Sequence, residues 1–303
     1  MKKGFVKKNK IFGINMLYLV SILPIIIFSF YKNGLMVYKS GELNLFLSLQ
    51  YLIIPIIIVI LSYVFETYYY LCIKKDEDNN NIINSIIPYI NTLCYLVTGP
   101  ANKLYITIPL IVVLDVAMKF LDQKVCLNRV ALYKCILFLV LSLMSLYSNM
   151  NYHEATLKVV ESDSSKLFLG MGVGEIGVTS TLLAIVGYII LLFNSYYKKD
   201  IPIICLVSYA LVSVLLYFGK VVTFNELLVN TFNSGFVFIA VFVASLSTAT
   251  PVVRSGRIIY AILVGIVAAV MINLVRFNIG VYFGILVISF LTPLLNKFKL
   301  SIE

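Results

Sequence analysis

The stretch Leu45–Lys75 reads LFLSLQYLIIPIIIVILSYVFETYYYLCIKK. From Leu45 to Phe65 it carries no charge, and a helix needs about 20 such residues to cross a bilayer. It closes on Glu66, a run of tyrosines and a lysine pair, the aromatic and basic flank of a span at a membrane surface. The pattern then recurs. Apolar segments lie at about 11–31, 45–71, 82–98, 104–121, 130–147, 179–197, 201–218, 231–251, 258–275 and 279–295. The fold class expected is all-α: a polytopic membrane protein of about ten transmembrane helices. The segments at 82–98, 104–121 and 279–295 are short, and Pro88 and Pro109 interrupt two of them, so half-helices or tilted pieces are expected there.

Composition gives the same class. The chain has 303 residues, of which 61% are hydrophobic and 13% charged, and its mean hydropathy is +0.98. Soluble domains carry about 25% charged residues, and no soluble core of this size hides so much apolar surface. The net charge of +10 does not indicate nucleic acid, because the basic residues form short clusters between apolar runs. With the N-terminus in the cytoplasm, the clusters Lys2–Lys10, Lys74-Lys75, Lys119–Arg129 with Lys134, Lys198-Lys199, Arg254–Arg257 and Lys297–Lys299 fall inside. The outer side then holds only the scattered Lys32, Lys39, Lys103, Lys158, Lys166, Lys220 and Arg276. Residues 1–303 are expected to form one transmembrane domain in a bacterial cytoplasmic membrane. It would have a cytoplasmic basic N-terminus at 1–10, an extracytoplasmic loop at 148–178 and a cytoplasmic tail at 296–303. Two five-helix halves are conceivable, since the third-fourth and eighth-ninth segments are both tightly connected.

None of the five cysteines (Cys72, Cys94, Cys126, Cys135 and Cys205) forms a CxxC pair, which argues against an iron–sulfur or zinc site within this chain. His153 is the single histidine, so a bis-histidine haem is excluded. The chemistry has to be sought in FLGMGVGEIGVTS, Phe168–Ser180, at the end of the longest gap between spans. Its glycines allow close backbone approach, and its Thr179-Ser180 pair opens a span, which suits a phosphate-bearing cofactor. The bland reading is a turn in which Thr179 or Ser180 caps the helix. Asp115 and Glu66 lie within apolar runs, where a charge is costly and marks an ion or proton path by default. Lys119 stands one turn beyond Asp115, in position for a neutralising pair.

The order of these features resembles the RnfD/NqrB family of membrane subunits of electron transport complexes. The resemblance rests on SILP with Gly34, on VFETYYYLCIKK, and on GPANKLYITIPLIVVLDVAMKFLDQKVCLN (Gly99–Asn128), where Lys119 and Asn128 keep the family spacing. It rests further on GEIGVTSTLLAIVGYIILL (Gly174–Leu192) and on the STATP turn at Ser247–Pro251. Val178 stands where the family has Glu, with Glu175 close by. The resemblance implies an integral redox subunit, rather than a complete enzyme, carrying FMN on the extracytoplasmic side and passing electrons across or along the membrane. It implies FMN esterified to a threonine upstream of the glycine loop. In MNYHEAT (Met150–Thr156) that position is Thr156, with His153 beside it. Gly174, Gly177, Thr179 and Ser180 would line the flavin. A second, noncovalent flavin is an open expectation, as are partner subunits bearing flavin or iron–sulfur clusters, a quinone and a flavin-attaching enzyme. Thr250 is a competing acceptor by letters, but the topology puts it at the cytoplasmic end of its span. The residues alone leave two other readings open: a transporter of a small solute or flavin, and a flavin-free assembly subunit.

Overall fold

The computed structural model describes residues 2–73, 85–99, 104–120, 127–144 and 164–297. Among them there are helices and turns and no strand. Helix α1 (Lys2–Ser29) runs without a break into a π-helical turn, Phe30–Leu35, and a last turn at Met36–Lys39. The first span therefore extends past its expected end at 31. Helix α2 (Leu45–Tyr68) also finishes in a π turn, Tyr69–Ile73. Then come α3 (Ile87–Leu96), α4 (Leu104–Phe120) and α5 (Arg129–Leu143). The second group begins with the short α6 (Ser164–Leu169), followed by α7 (Thr181–Leu191) and α8 (Asp200–Phe218). Next are α9 (Phe224–Asn233) and α10 (Phe236–Phe238), the latter continuing as a π segment through Ile239–Ala244. Helices α11 (Arg254–Asn273), α12 (Ile279–Phe290) and α13 (Thr292–Leu295) close the fold.

Local chemistry sets these boundaries. Asn128 caps α5 by accepting from the Ala131 amide at 3.0 Å, and Ser180 caps α7 by accepting from Leu183 at 3.3 Å. Thr223 and Glu226 form a reciprocal capping box on α9, each cap satisfying amides the helix leaves orphaned. Pro88 occupies the first turn of α3, where its missing N–H costs nothing. Pro24, Pro55 and Pro109 sit inside α1, α2 and α4, as membrane helices tolerate when neighbours supply the freed backbone groups with partners.

Among the described residues four helices are long and apolar enough to cross a membrane, and a fifth is counted if the bent pair α9–α10, at 50°, is one span. The segment expected at 231–251 covers the second limb of this broken element and only the last three residues of the first. The element bends at Gly235, whose φ of +66° lies in the left-handed region glycine enters without strain. Outer helices such as α8 leave Ile203, Val207, Leu211, Leu215 and Phe218 exposed, an apolar face suited to lipid. By contrast, every residue of α3 and of Phe236–Ala244 is buried. These short helices are the centre of the molecule.

The two groups meet where α1 packs on α7 and α5 packs on α12. At the C-terminal end of α3, Lys134 Nζ donates to Val97 O at 2.8 Å, where a cation complements both the orphan carbonyls and the negative end of the helix dipole. In the second group Lys198 Nζ donates to Thr250 O at 2.8 Å, in the turn beyond the π segment that ends at Ala244. Asn128 also joins the groups, donating from Nδ2 to Val243 O at 2.7 Å.

Candidate functional site

The glycine loop between α6 and α7 folds into the protein rather than over it. Gly170 turns the chain with a φ of +103°. The Ile176 amide donates to Thr98 O at 2.8 Å and the Gly177 amide to Leu96 O at 3.0 Å. The loop thus caps the C-terminal end of α3 with its own backbone. At Gly177 a Cβ would lie 2.5 Å from Leu96 Cδ2 and 3.1 Å from Ile25 Cγ2, so glycine is required for the loop to seat on α1 and α3.

Two lysines hold this loop from beneath. Lys32, in the π turn after α1 and only 1% exposed, donates to Gly172 O and, at 3.0 Å, to Thr179 Oγ1. Thr179 passes its own proton to Gly170 O at 2.9 Å, and neighbouring Asn33 donates to Ile176 O at 3.2 Å. Lys134, 2% exposed, approaches from α5 and pairs with Glu175 Oε1 at 2.6 Å. Tyr282 of α12 donates to Glu175 Oε2 at 3.0 Å. Lysine, carboxylate and phenol from three elements thus form one buried hydrogen-bonded unit, so neither charge is left bare in the interior.

Above this unit lies a cavity of about 320 Å³, within the range of small-molecule sites. Its wall includes Lys134, Gly174, Glu175, Thr179, Asn233, Arg276, Phe277, Asn278 and Tyr282. Asn233 Oδ1 is buried beside Gly172 and has no hydrogen-bond partner among the described residues, a costly state for an amide oxygen. Arg276, with a φ of +54°, reaches Glu226 Oε1 at 3.2 Å on the exposed rim.

Of the residues expected at a cofactor site, Gly174 and Thr179 line this cavity, while Gly177 and Ser180 support the loop behind it. Thr156 and His153 lie outside the described residues. Glu66 (2% exposed) and Asp115 (8% exposed) are buried in the first group of helices, away from the cavity. Lys119 lies in the last turn of α4, and its side chain is outside the description. Thr250, the competing acceptor, is buried, with its hydroxyl donating to Leu246 O at 3.1 Å and accepting from Lys198.

By sequence, Lys32 and Lys134 belong to the flanks of spans, and the structure corrects both. Each is drawn inward because loop and helix-end carbonyls need donors that lipid does not supply. Lys134 carried a usable signal, a lone charge in the apolar run VALYKCILF. Asn233, Asn278 and Tyr282 carried none, since only the fold brings them to one wall.

These features define a multi-pass, all-α membrane protein with a polar cavity built on a buried glycine loop. The chain belongs to the NQR2, RnfD, RnfE family, which it matches over residues 4–301. It is also similar to a subunit of the proton-translocating ferredoxin:NAD(+) oxidoreductase complex of Clostridium ljungdahlii, with 26% identity over 137 residues. That match covers 45% of this chain and 41% of the clostridial protein.

Proposed function

We propose that this protein is the flavin-carrying membrane subunit of an Rnf-like electron transport complex, holding FMN at its extracytoplasmic side and passing electrons across or along the membrane. Family membership supports the class, and the clostridial relative is by name one subunit of a larger oxidoreductase complex. The partners are accordingly further membrane, flavin and iron–sulfur subunits. FMN supplies one- and two-electron chemistry when bound, and the chain supplies position and electrostatics.

The observation that carries the reading is the cavity beside the glycine loop, with amide and aromatic side chains on one wall. An isoalloxazine ring is flat and largely apolar, with one imide N–H and two carbonyls at its polar edge. Asn233 and Asn278 bring amide side chains to the wall, and Phe277 and Tyr282 bring aromatic surface. Thr156 is the attachment residue in this reading. The occupied hydroxyl of Thr250 favours Thr156 over it. Glu66 and Asp115 are assigned to ion or proton passage.

The test is FMN binding by the purified full-length protein, made without a flavin-attaching enzyme and read by quenching of FMN fluorescence. Wild type is expected to bind, and Asn233→Phe, which fills the cavity, to bind at least tenfold more weakly. Absence of quenching by wild type, or equal binding by both proteins, contradicts the assignment.

A further inference from the structure

The charges on the cavity wall do not balance. Lys134 and Glu175 both line it, paired at 2.6 Å, and cancel. Among the described residues the other ionised side chain on the wall is Arg276, which stands at the rim with 74% of its side chain exposed. Its counter-ion, Glu226 of α9, is not part of the wall. The cavity therefore carries a net positive charge, concentrated at its mouth. The backbone holds that charge in place. Helix α11 closes in a turn where the Phe277 amide donates to Met271 O at 2.9 Å, and the residue before Phe277 takes the left-handed conformation. Glycine is the usual residue at such a position. Arg276 occupies it at a φ of +54°, a strain glycine would avoid. Beside it α12 begins. Asn278 and Ile279 line the same wall, and Asn278 makes no side-chain capping bond, so the positive end of the helix dipole adds to the charge of the arginine.

We propose that Arg276 recognises a phosphate group at the mouth of the cavity, and so selects the phosphorylated flavin over the bare one. The inference rests on the flavin reading of this cavity. A guanidinium presents its N–H donors in a planar fork that matches phosphate. In the structure Arg276 Nη2 meets Glu226 Oε1 at 3.2 Å. That pair is open to water on both sides, and exposed pairs contribute little. Glu226 keeps other partners when the arginine turns away, because its Oε2 accepts from the amide and the hydroxyl of Thr223, each at 3.0 Å. A phosphate oxygen can thus replace Glu226 on the arginine without stranding a buried charge. The arrangement puts the ring against the amide and aromatic wall and leaves the phosphate at the surface, where esterification to a loop residue requires it. A lipid headgroup offers the same phosphate chemistry, and the experiment separates the two sources.

The experiment titrates purified full-length protein, made without a flavin-attaching enzyme, with FMN and with riboflavin, each read by quenching of its own fluorescence. Wild type is expected to bind FMN about tenfold more tightly than riboflavin, the scale of one hydrogen-bonded contact to a charge. Arg276→Gln brings FMN down to the level of riboflavin and leaves riboflavin unchanged. Arg276→Lys, which keeps the charge but not the fork, retains part of the preference. Glu226→Gln releases the arginine and strengthens FMN binding about threefold. Because Arg276 is exposed, its variants should keep the Tm of wild type. Equal binding of the two flavins by wild type, or an undiminished preference in Arg276→Gln, overturns this inference while the cavity keeps its flavin. Binding of neither flavin contradicts the flavin reading itself, and this inference with it. Short-chain phosphatidylglycerol tests the other source. A rise in Tm with that lipid in wild type but not in Arg276→Gln, together with no preference for FMN, assigns the arginine to a headgroup and overturns the proposal.

Discussion

Gly177 offers the sharpest test at the level of a single residue. The added methyl of Gly177→Ala meets Leu96 and Ile25, and overpacking a filled core costs about 1–3 kcal/mol. Denaturant or thermal unfolding in detergent should show that loss, together with weaker FMN binding, because the loop carries Gly174 and Thr179 to the cavity. The Lys134–Glu175 pair gives a second prediction of this kind. Removing one partner strands a buried charge and costs roughly 3–5 kcal/mol. Lys134→Met and Glu175→Gln should each be strongly destabilising, and the double variant clearly less so than the sum of the two. Additive losses would show that the two groups do not couple. The glycines and hydroxyls of this loop were legible in the sequence as a motif, but their division of labour was not. Whether Thr179 faces a cavity and Ser180 a helix amide depends on how the loop enters the bundle, and that is fixed by Lys32 and Lys134, residues remote in the chain.

Among the elements, α5 shows how one side chain sets helix placement. Asn128 caps α5 and also satisfies Val243 O at the end of the second buried helix. Its loss should exceed the usual cap value of about 1 kcal/mol, because a carbonyl is stranded where water is scarce. Asn128→Ala is therefore expected to lower Tm more than Ser180→Ala, which removes a cap alone. Equal effects would mean that the Val243 contact contributes nothing. Long helices such as α2 and α8 were readable because no charged residue interrupts their apolar runs between Leu45 and Phe65 and between Ile201 and Phe218. The span expected at 231–251 caught α10 and its π segment but only the last three residues of α9, because α9, with Asn225, Glu226, Asn230 and Asn233, is too polar to read as membrane-spanning. The bend between them comes from the backbone of Gly235, and Gly235 resembles any other glycine in the sequence.

At the scale of the whole molecule, the two groups of helices meet where α1 packs on α7 and α5 packs on α12. These contacts join segments remote in the chain, so no local sequence pattern announces them. Orientation, by contrast, rests on lysine distribution and is directly testable. Cys72 is exposed, two residues before the Lys74-Lys75 pair in the sequence. In a Cys126→Ser background, a membrane-impermeant thiol reagent should label Cys72 in inside-out vesicles and spare it in intact cells, while buried Cys94, Cys135 and Cys205 stay unlabelled in both. Labelling from outside would reverse the topology and move the cavity to the cytoplasmic face.

The most direct measurement of the central claim is in-gel flavin fluorescence after denaturing electrophoresis of protein made with a flavin-attaching enzyme. A fluorescent band is expected in wild type and in Thr250→Val, and none in Thr156→Val. No band in wild type, or a band lost only in Thr250→Val, would contradict the flavin assignment.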